Sequence, residues 1–89
     1  MNPTIAVHGS TGKLGHLIMT HAPCKAILRG QTVPNCDVVI DVSSAEGLTE
    51  LIPKLSGQAL LVGTTGELPW AELERYAENA PVAVVANFS

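Results

Sequence analysis

Apolar residues gather along this chain in five short, almost unbroken runs, and the stretches between them carry a different spacing. The runs are Thr4–His8 (TIAVH), Lys25–Leu28 (KAIL), Val38–Val42 (VVIDV), Ala59–Gly63 (ALLVG) and Val82–Ala86 (VAVVA). Each is short, rich in branched residues and bounded by glycine, proline or polar residues, which predicts strands. From Lys13 to His21, Leu14, Leu17, Ile18 and His21 recur on one helical face, and Ala22-Pro23 stops that helix because a proline ring cannot continue it. Ser43 stands three residues before Glu46, a capping-box spacing that predicts a second helix through about Leu55. A third helix is predicted from near Pro69, with Trp70, Leu73, Ala77 and Ala80 along one face.

Strands that are apolar throughout, rather than alternating, belong to a parallel sheet covered on both faces. Their alternation with helices points the same way. One link is unusual: only the nine residues Arg29–Asp37 join the second run to the third. Such a link reaches roughly 30 Å when extended, and the return along a five-residue strand takes about 17 Å. It closes without a helix. The predicted fold is therefore α/β, a doubly wound, mostly parallel sheet with strand order 2-1-3-4-5, an abbreviated Rossmann-like arrangement lacking the full first half of a dinucleotide fold.

Eighty-nine residues suit one small domain. Hydrophobic residues make up 46% of the chain and charged ones 15%, a balance that excludes disorder. With one Trp, one Tyr and one Phe, the core must be built from Val, Ile, Leu and Ala. A net charge of −3 without a basic stripe disfavours nucleic acid or an anionic membrane as partner. No apolar run approaches spanning length and no leader segment is seen, so the expected setting is cytoplasmic, or a plastid for a chain without its transit peptide. Cys24 and Cys36 lack a second pair and a histidine at zinc-ligand spacing, and they read as thiols buried at least in part rather than as a disulfide or metal ligands.

Chemistry enters with VHGSTGKLG, in which Gly9, Gly12 and Gly15 follow the first strand and open the first helix. There, Gly9 permits the tight turn, Gly12 lets a pyrophosphate approach the backbone, and Gly15 brings helix and strand together. The alternative is that these glycines serve packing alone. An acid at the end of the second strand would hold the ribose diol of NAD, but the chain has Leu28-Arg29-Gly30-Gln31. Arg29 suits a 2′-phosphate and can stack on adenine, and Lys13 is a second cation near the loop, so NADPH is favoured over NADH. Each of these cations has a solvated surface role as its alternative. Gly63-Thr64-Thr65-Gly66 lies at the carboxyl end of the fourth strand, where small residues admit a nicotinamide ring and hydroxyls can reach an amide or carboxylate; a plain turn before a helix is the competing reading. Asp41 is read as an acceptor for neighbouring loop N–H groups rather than as catalytic. His8, His16 and His21 have no partner at metal or triad spacing, although His8 adjoins the glycine loop.

Four segments taken together, IAVHGSTGKLG, VVIDVSSAEG, LVGTTGELPWAELE and VAVVANFS, resemble the N-terminal region of the 4-hydroxy-tetrahydrodipicolinate reductase (dihydrodipicolinate reductase) family of the diaminopimelate route to lysine. The resemblance covers almost the whole chain and is most specific in GTTG and the closing Asn87-Phe88-Ser89. It implies a domain that binds NADPH or NADH for hydride transfer to the cyclic intermediate. On that resemblance, Gly9, Gly12, Lys13, Leu14 and Gly15 hold the pyrophosphate and adenosine side, while Ser43 and Ser44 meet the cofactor from the third strand. Gly63 and Thr65 face the nicotinamide, Thr65 also facing the substrate carboxylate, and Ala86, Asn87 and Phe88 close the nicotinamide pocket. Val42 and Ala45 depart from the family's usual aromatic and proline.

The family continues past Asn-Phe-Ser into a second domain that carries the substrate grip, the proton donor and the oligomer-forming sheet. The resemblance therefore implies a coenzyme-binding domain that turns nothing over by itself, from a parent that is a homo-oligomer, with no metal and no catalytic residue in these 89 positions. Two other readings stay open: a stand-alone nucleotide-binding or redox-sensing module, and another NAD(P)-dependent dehydrogenase of similar layout.

Overall fold

The computed structural model describes residues 3–21 and 23–85. Five parallel strands, β1 (Ile5–His8), β2 (Lys25–Ile27), β3 (Val38–Asp41), β4 (Ala59–Val62) and β5 (Val82–Val84), form one sheet in the order β2-β1-β3-β4-β5. Between them lie α1 (Lys13–His21), α2 (Ala45–Leu51) with a tight 3-10 turn at Ile52–Lys54, and α3 (Trp70–Ala77). The expected architecture and strand order are those observed. Arg29–Asp37 crosses from β2 to β3 without a helix, as its length requires.

Strand order determines where a site can form. From β1 the chain moves outward to β2, then returns to place β3 on the other side of β1. Because parallel crossovers are right-handed, the direction change sends α1 to one face of the sheet and α2 to the other. The carboxyl ends of β1 and β3 thus flank the switch point at which ligands of open parallel sheets bind.

The core sits under α2 and α3. Ala6, Val39, Leu60 and Val62 meet Leu48, Leu51, Ile52 and Leu73 there. The predicted coverage of both faces is only partly met: Val38, Ile40 and Leu61 point to the α1 side and stay half-buried, since a single helix cannot cover five strands. On α1 itself only Gly15 is buried, and Leu17 is exposed, so the predicted apolar face packs loosely. In the third helix, Leu73 is buried, but Trp70 is 55% exposed and Ala77 is exposed too. The buried line runs instead through Leu73, half-buried Tyr76 and Ala80, which lies beyond the helix end.

Tyr76 ties α3 to the turn before β4. Its hydroxyl donates to the Gln58 carbonyl at 2.6 Å and accepts from the Gly57 N–H at 3.1 Å. Burial raises its pKa above the usual phenol value. A net hydrogen bond contributes about 1 kcal/mol, so Tyr76→Phe is expected to lower stability by about that amount in a urea titration. An unchanged midpoint would mean that solvent replaces both bonds.

Candidate functional site

At the switch point the sheet carries a buried polar cluster. His8 and Asp41 are register partners on adjacent strands, 5% and 0% exposed. His8 Nδ1 lies 2.7 Å from Asp41 Oδ1. Ser43 Oγ donates to the same oxygen at 2.8 Å, and Thr64 Oγ1 donates to Asp41 Oδ2 and lies 3.2 Å from the Asp41 carbonyl. That carbonyl also accepts the Gly63 N–H at 2.8 Å. A buried carboxylate needs such partners, because an unsatisfied buried charge is costly. Asp41 is an acceptor, as expected, but its side chain is held by two hydroxyls and an imidazole rather than by loop N–H groups.

Over this cluster opens a cavity of about 290 Å³. One wall is the glycine loop, Gly9 to Gly12; another is the end of β2 with Ile27, Leu28 and Arg29. The loop into α2 and its first turn close it with Val42, Ser43, Ser44 and Gly47, and His8 also lines it. The polar loop faces an apolar surface offered by Leu28 and Val42, a division that suits a ligand with one charged and one flat apolar part.

The three loop glycines differ in what requires them. Gly9 has φ +94°, and a Cβ there would stand 2.8 Å from the Val42 and Ser43 backbone. A Cβ on Gly15 would stand 2.0 Å from the Gly9 carbonyl oxygen. Both are demanded by the fold. On Gly12 a Cβ would meet only that same oxygen, at 3.6 Å, and the residue is exposed. Packing does not explain it, and the space beside it is open.

The predicted site residues divide. Gly9, Gly12, Arg29, Ser43 and Ser44 are brought together around the cavity. Lys13, Leu14 and Gly15 follow on the first turn of α1 outside its walls, Lys13 exposed, Leu14 half-buried and Gly15 buried against Gly9. Gly63 is buried beside Asp41, whereas Thr65 is exposed and neither lines the cavity. The assignments to Ala86, Asn87 and Phe88 lie outside the described residues. His16 and His21 are exposed on α1. Both cysteines are half-buried thiols, and burial pushes the Cys36 pKa up.

The capping of α2 corrects an expectation. Ser44, not Ser43, is the N-cap, and its hydroxyl accepts the Gly47 N–H at 3.0 Å. Ser43 is withdrawn from capping because it serves Asp41. Gly47 matters for the same reason, since a Cβ there would stand 2.6 Å from Ser43 Oγ. The Thr64 hydroxyl, expected to reach an amide or carboxylate, is turned to Asp41 instead, because Leu60, Val62 and Thr64 share the alternating inward face and all are buried.

Arg29 is engaged rather than solvated alone. Its guanidinium donates to Glu50 at 2.5 Å and lies 2.9 Å from Glu46, both on α2. The hydrogen bond to Arg29 holds the Glu50 carboxyl below its ordinary range, and the two glutamates raise Arg29. The sign follows: a depressed carboxyl favours the folded state above its unfolded value of about 4.3 and loses that contribution as pH falls through the folded value. All three side chains are exposed, so the effect on stability is small.

Among the described residues no helix is long and apolar enough to cross a membrane. A comparison with models of known protein families finds no match. A comparison with curated proteins likewise finds none.

Proposed function

We propose that this chain is an NAD(P)H-binding domain, and that it serves a reductase of the 4-hydroxy-tetrahydrodipicolinate type. The observation that carries the reading is the cavity at the switch point, walled by the glycine loop, the end of β2 and the start of α2. The residues present fit a dinucleotide. Gly12 leaves room for a pyrophosphate, the N-terminus of α1 just beyond the loop adds its positive dipole, and Leu28 with Val42 offers a surface to adenine. Bound there, the cofactor supplies a hydride. The chain's own part is to hold and orient it, while reduction of a substrate belongs to the whole reductase. Gly63 and Thr65, at the carboxyl end of β4, are on this reading the nicotinamide-side residues, with Thr65 also meeting the substrate.

NADPH remains the favoured cofactor, with Arg29 as the receptor for its 2′-phosphate. Glu46 and Glu50 then compete for that guanidinium. The test is a binding titration with NADPH and with NADH. Arg29→Ala is expected to weaken NADPH about ten- to a hundredfold, the range of a charge-assisted contact, and to leave NADH nearly unchanged. Lys13→Ala should weaken NADPH by less. Replacing Glu46 and Glu50 together by Gln frees Arg29 and should tighten NADPH but not NADH. Equal binding of both cofactors in every variant would remove the preference, and binding of neither would remove the reading.

A further inference from the structure

We propose that His8 contacts the ligand directly, its Nε2–H donating to a phosphate oxygen in the cavity, while Asp41, Ser43 and Thr64 serve as its holder. The inference rests on the nucleotide reading above and adds a residue to which neither the glycine motif nor the resemblance gave a role.

Four observations converge on it. Nδ1 is committed to Asp41 at 2.7 Å, which leaves Nε2 as the ring's remaining polar atom. Among the described residues nothing bonds Nε2, since the one side-chain hydrogen bond of His8 there goes from Nδ1 to Asp41. Yet no buried side-chain nitrogen or oxygen among those residues lacks a partner, so Nε2 is not sealed away. His8 is 95% withdrawn from solvent and lines only this cavity among those described, so the opening its Nε2 meets is the cavity.

The surroundings select the ligand atom. A histidine whose Nδ1 faces a buried carboxylate is fixed in ring orientation, which turns Nε2 away from Asp41. The same cavity is lined by Gly9, Ser10, Thr11 and Gly12, the loop read as a phosphate cradle. A histidine that served the fold alone would need no opening at its second nitrogen. This one has such an opening.

The test uses the 89-residue chain with ¹⁵N-labelled histidine. On saturation with NADPH, the His8 Nε2 resonance is expected to move while Nδ1, still bonded to Asp41, stays. His8→Phe keeps an aromatic ring and removes the donor. Its folding is checked by thermal melting, and it should weaken NADPH and NADH alike, about ten- to a hundredfold, because both carry the pyrophosphate. Loss of NADPH alone would point to the Arg29 end of the cavity and overturn the proposal. So would tight NADPH binding with an unmoved Nε2, which would leave the cofactor reading standing. If His8→Phe does not fold, the resonances of the unaltered chain decide. If that chain takes up no NADPH, the nucleotide reading fails, and inorganic pyrophosphate decides for His8: a moving Nε2 supports a phosphate contact, and an unmoved one ends the idea.

Discussion

Gly12→Ala is expected to fold as the parent chain does and to lose the nucleotide, whereas Gly15→Ala is expected to be destabilised. The two positions sit three residues apart in one motif, but the structure asks different things of them. A Cβ on Gly15 would lie 2.0 Å from the Gly9 carbonyl oxygen, 2.7 Å from its carbon and 2.8 Å from Ser10 Cα. All three are backbone atoms, so no side chain can swing aside and the turn itself must move. Overpacking costs typically about 1–3 kcal/mol and more where backbone is displaced. A chain of 89 residues has a total stability of roughly 4–13 kcal/mol. The melting temperature should therefore fall by about 4–8 °C for each kcal/mol lost. On Gly12 the nearest atom is 3.6 Å away, an ordinary contact, and the change should alter stability by about 1 kcal/mol or less. NADPH binding should nevertheless weaken at least about tenfold, since the methyl occupies the approach of the pyrophosphate. Melting curves and titrations on the two variants check this together. A Gly12→Ala chain that binds normally would sink the cradle, and a Gly15→Ala chain that melts with the parent would sink the packing argument.

That contrast also marks how far the sequence could be read. The strand order was legible because Arg29–Asp37 is too short for a helical crossover and the remaining elements alternate regularly. The glycine loop was legible because its position after β1 gives its spacing a meaning. Residues brought together by the sheet were not. His8 and Asp41 are 33 positions apart, and Asp41 and Thr64 are 23 apart. Nothing in local spacing announces that parallel register will set them side by side.

Ser43 shows the mechanism of the miss. Two adjacent serines can each start α2, and the local pattern with Glu46 favours the first. A tertiary demand, the need of a buried carboxylate for donors, takes Ser43 away and leaves the cap to Ser44. Arg29 repeats the lesson on the surface. Its basic character was plain, but its two partners come from one face of α2, which only the fold brings over the end of β2.

Asp41 is the position where substitution is expected to cost most. Asp41→Ala would strip Thr64 and Ser43 of an acceptor and leave the His8 ring nitrogen buried without one. Breaking a buried pair from one side costs about 3–5 kcal/mol. That is a large fraction of the whole, and a urea titration should show a chain close to unfolding in buffer. Asp41→Asn keeps the volume and one carbonyl oxygen and should fall between. Removing both partners is different. His8→Phe with Asp41→Leu leaves no buried charge, and Thr64 Oγ1 still lies 3.2 Å from the carbonyl oxygen of residue 41. Replacing buried ion pairs by apolar residues is often neutral or stabilising, so the double variant should recover most of the loss. It should not recover NADPH binding. A chain that is stable with an apolar switch point but no longer takes the cofactor would mean that the polar cluster is kept for the cavity rather than for the fold. If instead the double variant were as unstable as Asp41→Ala, the cluster would belong to the architecture, and His8 would need no ligand to explain it.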